Sequence, residues 1–235
     1  EMQGANCAAI PLRAEDGFAL PLAALVEAAS APAARLTVVC APNNPTGTVF
    51  SLDDLAHLAR RCSGLLPVDA AYAPFSGQDF TPLLAYENVI LLHTFSKFYA
   101  LAGARVGYAL AAPAVARELQ KAVNDFPLST YAEIAAQVAL EHPAPFVEAA
   151  ARIVAEREWL AAQLRALPGL TVYPSGTNFL LVQLPGPKQP ILRRLLHEQG
   201  VLVSDLAAYP ELTNCVRVSV GTRAQNERVV KGMSG

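Results

Sequence analysis

Charge is scarce in this 235-residue chain: 16% of residues are charged, and 18 Lys+Arg against 20 Asp+Glu leave a formal net charge of −2. That balance gives no electrostatic footprint for nucleic acid or an anionic membrane surface, so any anion the protein holds must be gripped locally. Cysteine is scarcer still. Cys7, Cys40, Cys62 and Cys215 form no CxxC pair and have no companion histidine at ligand spacing, which argues against a disulfide framework and a zinc site alike. His57, His93, His142 and His197 fall at no metal-ligand spacing either, so no metal is expected. No apolar run reaches the roughly 18 residues of a membrane span. The opening EMQGANCAAIPL has no basic leader followed by an apolar stretch. The expectation is a cytoplasmic chain with reduced thiols that begins without an initiator-like start.

What the chain has in quantity is apolar residues, 53% of the total, arranged as short apolar runs alternating with longer amphipathic ones. This pattern predicts an α/β protein with a largely parallel sheet. LTVVCAP (36–42), LLPVDAAY (65–72), VILLHTF (89–95) and RVGYALA (105–111) read as buried strands. Between the first two, Ser51 is the expected N-cap of a helix, with Asp53 and Asp54 in its first turn and Gly64 as its stop. Thr130 and Glu133 have capping-box spacing, and HPAP breaks the chain near residue 143. A long helix over 145–166 is expected next. Then come shorter strands in LTVYP, TNFLLVQL, GVLVSD and NCVRVSV, a helix over Leu192 to Gln199, and a last helix opened by Thr222 and Gln225. The expected division is 1–143, part of a large domain, and 144–235, a small C-terminal α+β domain.

In a parallel α/β sheet, ligands collect outside the carboxyl ends of the strands. The first predicted strand ends in Asn43-Asn44-Pro45-Thr46-Gly47, the second in Asp69-Ala70-Ala71-Tyr72 and the third in Thr94-Phe95-Ser96-Lys97, while Arg105 opens the fourth. Each has a plain structural alternative. Asn-Pro-Thr-Gly is an ordinary turn sequence, Asp69 could cap the next helix, and Arg217, alternating with Val216 and Val218, could simply face solvent. Lys97 is harder to dismiss, because a lysine set among core residues needs a partner or a task. Two cations eight residues apart in an apolar run, Lys97 and Arg105, call for an anion between them.

A lysine, an aspartate, an aromatic hydroxyl, an amide and a Ser/Arg anion site are the set that pyridoxal 5′-phosphate requires. The series NNPTG, VDAAY, TFSKFYALAGARVGY, TNFLLVQL and CVRVSVGTRAQNE resembles the fold-type I pyridoxal-phosphate-dependent aminotransferases, and within them the histidinol-phosphate aminotransferase family. The likeness runs in order along nearly the whole chain. It implies a PLP-dependent transferase-like fold (fold type I) with a mainly parallel sheet and flanking helices. It further implies Lys97 as the Schiff-base lysine and proton shuttle, Asp69 as the partner of the pyridine nitrogen, and Tyr72 and Asn44 at the ring oxygen. Thr94, Ser96 and Arg105 would hold the cofactor phosphate. Arg217 would clamp a substrate carboxylate, and Asn178 lies near the site or merely at a strand edge. The partners implied are a small-molecule amino donor, a 2-oxo acid such as 2-oxoglutarate and a second copy in a homodimer, within histidine biosynthesis.

Two departures qualify the resemblance. Ser204 stands where the family usually carries an arginine that serves the substrate phosphate, which brings an aromatic amino acid forward as a competing substrate. The family's further N-terminal residues, with a glycine-containing phosphate loop and an aromatic that stacks on the ring, have no counterpart in this sequence. Two rival functions share the motifs: a decarboxylase of the threonine-phosphate type, distinguished by carbon dioxide release, and a non-catalytic pyridoxal-phosphate-sensing regulatory domain, distinguished by a basic DNA-binding module upstream.

Overall fold

Ser51 caps its helix as the sequence predicts. In the computed structural model, which describes residues 4–124 and 126–234, the Ser51 side chain accepts from the Asp54 amide at 3.1 Å and opens α2, Leu52–Arg61. Asp53 and Asp54 lie at its positive end and Arg60 and Arg61 at its negative end, each favourable to the helix dipole. Leu55, Leu58 and Ala59 turn inward at i, i+3 and i+4 spacing, and the two leucines are fully buried. Each such leucine contributes about 1.5–3 kcal/mol by leaving water.

That face packs on a four-stranded sheet of β1 (Val39–Cys40), β2 (Leu66–Asp69), β3 (Val89–Thr94) and β4 (Gly107–Ala111), in the order β1-β2-β3-β4. The first three strands are parallel, as their crossovers require. The fourth is not. β4 runs antiparallel to β3, pairing Thr94 with Gly107, because the dozen residues between them form tight turns and one 3-10 turn, Ala102–Ala104, with no crossover helix, so the chain turns back. It is also an edge strand, with Tyr108 and Leu110 exposed rather than buried. β1, the opposite edge, is shorter than its apolar run: Leu36 makes only an isolated bridge to Leu65, and Leu36 and Val38 are exposed. Gly64 does not stop α2, which ends at Arg61. Its role is close approach, since a Cβ there would lie 2.2 Å from the Arg35 carbonyl oxygen.

Two further helices precede and follow this sheet in the chain, α1 (Leu22–Ala29) and α3 (Pro113–Gln120), neither with a side-chain N-cap; Pro113 at the first helical position is the start signal of α3. For α4, Thr130–Glu141, the cap is Ser129, whose Oγ accepts from the Ala132 amide at 3.2 Å. Thr130 is therefore the first helical residue, and the expected Thr130–Glu133 box is displaced by one position. Ala132, Ala136 and Ala139 bury the inner face of α4 against Phe95 and Val106.

A second sheet is antiparallel throughout: β5 (Thr171–Val172), β6 (Phe179–Gln183), β7 (Ser204–Asp205) and β8 (Cys215–Ser219), ordered β5-β6-β8-β7. Alternation along β8 sends Val216 and Val218 into a core with Leu160, Leu164 and Leu180, and Arg217 to the other face. The covering helices are α5 (Ala144–Arg165), α6 (Gln189–Gln199) and α7 (Arg223–Met233). The last carries the expected capping box of Thr222 and Gln225. Among the described residues, no helix is long and apolar enough to cross a membrane.

The two sheets meet where the 43–49 loop touches the start of β6. Gly47 has φ of +81°, and a Cβ on it would fall 2.6 Å from Ser175 Oγ. The Gly47 carbonyl accepts from the Gly176 amide at 2.8 Å. Tyr72, Phe75, Ala150 and Phe179 form one buried cluster across the junction.

Candidate active site

Three parallel strands end side by side, and each gives way to a turn held by its own polar groups. After β1, Asn43 donates through Nδ2 to Thr46 Oγ1 at 2.8 Å, and its amide donates to the Thr48 carbonyl, which closes the loop with Asn44 exposed at its tip. β2 ends on Asp69, whose Oδ1 accepts from the Ala71 amide at 3.0 Å. Tyr72 follows and is buried. β3 ends on Thr94, whose hydroxyl accepts from the Ser96 amide at 3.1 Å and donates to Ser96 Oγ at 2.9 Å. Lys97 comes next.

The turn after Lys97 contains two non-glycine residues in the left-handed region, Ala100 at φ +53° and Arg105 at φ +56°. Such residues cost on the order of 1–3 kcal/mol each and persist only where their surroundings impose them. Here Phe95 fastens both sides: its carbonyl accepts from Leu101 at 3.0 Å, and its amide donates to Val106 at 3.0 Å. Arg105 therefore precedes β4 by two residues instead of opening it.

Side chains from these turns converge with β8. Lys97 Nζ stands 5.6 Å from the Tyr72 ring centroid. Tyr72 meets Phe179 edge-to-face at 5.2 Å, and the Arg217 guanidinium lies over the other ring at 5.1 Å from the Phe179 centroid. Arg217 Nη1 donates to Asn44 Oδ1 at 2.7 Å, a contact across 173 residues of sequence. Nη2 donates to Ser204 Oγ at 3.2 Å, the two residues being register partners in β8 and β7. Arg217 Nε is buried without a hydrogen-bond partner among the described residues. A guanidinium only donates, so Asn44 must present its oxygen to Arg217 and keep its Nδ2 free to donate elsewhere.

The neighbourhood fixes protonation as well. Burial pushes the Tyr72 phenol up, the Arg217 charge pulls it partly back, and Cys40 and Asp69 add to the rise; Tyr72 stays a hydrogen-bond donor at neutral pH. Burial, reinforced by the Asp69 charge, raises the Cys40 thiol to about 11, so Cys40 is an inert thiol here. Burial also lowers His93, against the pull of Asp69 and Asp79, and its ring stacks on Tyr108 at 5.0 Å.

Asn44, Tyr72, Lys97 and Arg217 are thus linked through Phe179 in one cluster, and Asp69, three residues before Tyr72, is near enough for its charge to act on the phenol. Thr94 and Ser96 form a hydroxyl pair beside it. Arg105 does not join that pair: its Nη1 donates to the Ala102 carbonyl at 3.2 Å, and its side chain is exposed. Asn178, half-buried, precedes Phe179 and accepts from the Val220 amide through its carbonyl at 2.9 Å. Lys97 is exposed, not buried as its apolar surroundings suggest, because β3 stops three residues earlier and the chain leaves the core there. Sequence reasoning passed over Phe179, which joins Tyr72 to Arg217. An apolar residue in an apolar strand carries no signal of such a role.

The donor set suits a ligand with several distinct polar groups. Asp69 keeps Oδ2 for a protonated ring nitrogen, Tyr72 and Asn44 Nδ2 can donate to a ring oxygen, and the Thr94–Ser96 turn with the Arg105 cation nearby in sequence can take a phosphate. Arg217 Nε is left as an unmet donor that a further acceptor would satisfy.

A profile of aminotransferase class I and II matches residues 1–233. Histidinol-phosphate aminotransferase of Chlorobaculum tepidum is 34% identical over 232 residues, which cover 98% of this chain and 66% of that protein. Its counterpart in Chromobacterium violaceum is 36% identical over 232 residues, 98% of this chain and 64% of the relative. Among solved structures, histidinol-phosphate aminotransferase from Sinorhizobium meliloti in complex with pyridoxal-5′-phosphate has a TM-score of 0.85 at 28% identity, covering 97% of this chain and 63% of that one. L-threonine-O-3-phosphate decarboxylase from Porphyromonas gingivalis is alike in fold, with a TM-score of 0.76 at 24% identity over 84% of this chain and 63% of that one. The chain therefore spans a little under two thirds of the length of these curated relatives.

Proposed function

Since this chain belongs to the aminotransferase class I and II family, we propose that the full-length protein is a pyridoxal-phosphate-dependent transaminase. Its amino donor is histidinol phosphate or a related amino acid, its acceptor is a 2-oxo acid such as 2-oxoglutarate, and its setting is histidine biosynthesis. The observation that carries this reading is the convergence of Lys97, Tyr72, Asn44 and Arg217 at the carboxyl ends of β1–β3. On this reading residues 1–143 belong to the cofactor-holding domain, 144–235 form a smaller one, and the working unit is a homodimer.

Asp69 would hold the cofactor's ring nitrogen, Tyr72 and Asn44 its ring oxygen, and Thr94, Ser96 and Arg105 its phosphate. When bound, pyridoxal phosphate supplies a conjugated ring that accepts the electron pair left when a proton departs from the substrate's Cα. Lys97 is the group that takes that proton and returns it, and its exposed position on the turn leaves the amine free to move. Arg217, steadied by Asn44 and Ser204, meets the substrate's anionic group, with Nε as its unspent donor. Borohydride reduction of the full-length protein loaded with pyridoxal phosphate is expected to fix the cofactor to the peptide containing Lys97. Label on Lys121, Lys188 or Lys231 would refute the assignment.

Ser204 bears on the choice of donor. It lies across the register from Arg217, so an arginine placed there would set a second cation beside the first. A charged hydrogen bond to a phosphate contributes about 1.5–3 kcal/mol. The Ser204→Arg variant of the full-length protein is therefore expected to raise the kcat/KM ratio of histidinol phosphate over phenylalanine by about tenfold or more. An unchanged ratio would show that this position does not read the phosphate.

A further inference from the structure

Arg157 is the arginine that the proposed chemistry does not use and the fold nevertheless buries. It lies midway along α5 and is 7% exposed. Its Nη1 donates to the Phe75 carbonyl at 3.1 Å and to the Thr177 carbonyl at 2.8 Å, while Nε donates to Glu158 Oε1 at 2.9 Å. Burying a guanidinium is costly unless its donors are met, and an apolar residue would fill such a place at less risk. The carbonyls it meets come from segments about a hundred residues apart.

Both segments support the candidate active site. Phe75 closes the turn that begins at Tyr72, its amide donating to the Tyr72 carbonyl at 3.0 Å. Thr177 precedes Asn178, and its Oγ1 accepts from the Phe179 amide at 3.2 Å. Tyr72 and Phe179 then meet edge-to-face, and Phe179 carries Arg217 on its ring. Tyr72, Phe75 and Phe179 also pack across this junction, while an open groove of about 600 Å³, lined by Phe75, Phe98, Val154 and Arg157 among others, leaves the outer side of the Tyr72 turn uncovered. One guanidinium nitrogen thus ties the Tyr72 turn to the Asn178–Phe179 strand.

We propose that Arg157 is a positioning residue that holds the Tyr72 turn and the Asn178–Phe179 segment in register, and so sets the distance between the Lys97 side of the site and the Arg217 side. Its consequence for turnover rests on the transaminase reading; its mechanical role does not. The test uses the full-length protein with Arg157→Met, Arg157→Lys and, as a control, Glu158→Gln. Amide hydrogen exchange without added cofactor is expected to quicken about tenfold in both 72–78 and 175–179 in the methionine variant, with α2 unchanged. The control should match the parent protein. In the presence of cofactor, kcat is expected to fall about tenfold to a hundredfold, since an error of 1 Å in placement can cost about that much. KM should move less than kcat, and lysine, which keeps the charge and can reach one carbonyl, should recover part of both effects. Exchange that rises evenly through α2, or in only one of the two segments, or not at all, overturns the proposal, as does an unchanged kcat in a protein that does transaminate. If the methionine variant does not fold, the lysine variant is read by the same two measurements. Were the parent protein to show no transamination, the exchange result would still decide the role of Arg157.

Discussion

Replacing Lys97 by alanine in the full-length protein is expected to lower kcat by about 10⁴-fold, the upper range for losing a positioned proton-transfer group. The other lysines cannot take over. Lys121 is paired with Glu118 at 2.7 Å on the surface, Lys188 is buried in an ion pair with Asp205, and Lys231 lies on α7. Lys97 alone stands on a strand-end turn against the Tyr72 ring. The cleft should otherwise survive, because the fold of the turn rests on backbone bonds of Phe95 and the Thr94–Ser96 hydroxyl pair, not on the lysine. Cofactor binding, followed by fluorescence titration, should therefore weaken far less than kcat falls. A small primary amine added to the alanine variant is expected to return part of the rate, since it can carry the proton without the position. A loss of less than about tenfold, roughly 1.4 kcal/mol, would remove Lys97 from the reaction.

The local features of the molecule were legible because their signals are local. Ser51 with Asp53 and Asp54, and Thr222 with Gln225, each fix a helix start within four residues, and the structure places both starts as expected. The polar strand ends were legible for a similar reason: Asp69 and Thr94 stand at the ends of short apolar runs of strand length. What could not be read is what distance in sequence hides. The Arg217–Asn44 bond spans 173 residues and the Arg157–Phe75 bond 82, and alternation in VRVSV left Arg217 free to face solvent. The sequence predicts a mainly parallel sheet without fixing the direction of β4, because apolar content does not encode strand direction. The Ser129 cap was missed by one residue because Ser129 and Thr130 are both good caps, and only the backbone tells them apart. Lys97 taught the converse lesson, since its apolar neighbours in sequence are not its neighbours in space.

Asp69→Asn separates the part of Asp69 that shapes the turn from the part that acts on a ligand. Oδ1 accepts from the Ala71 amide at 3.0 Å, and an asparagine oxygen can accept the same bond, so the turn that presents Tyr72 should persist. The second position changes sign. Where the carboxylate offers Oδ2 as a charged acceptor to a protonated ring nitrogen, asparagine offers an NH₂ group that can only donate. The ring then loses the charge that keeps its nitrogen protonated, and with it most of its capacity to accept electrons from Cα. The full-length variant is expected to keep its thermal midpoint within a few degrees, to retain bound cofactor, and to lose about 10²-fold or more in kcat, roughly 2.7 kcal/mol of barrier. The measurement is a steady-state rate beside a melting curve and a cofactor absorption spectrum on the same preparation. If kcat fell by less than about tenfold while the spectrum matched the parent protein, Asp69 would be a turn residue and nothing more, and the ring nitrogen would need another partner. If the melting midpoint collapsed together with the rate, the Asx turn at Ala71 would be the larger of its two duties.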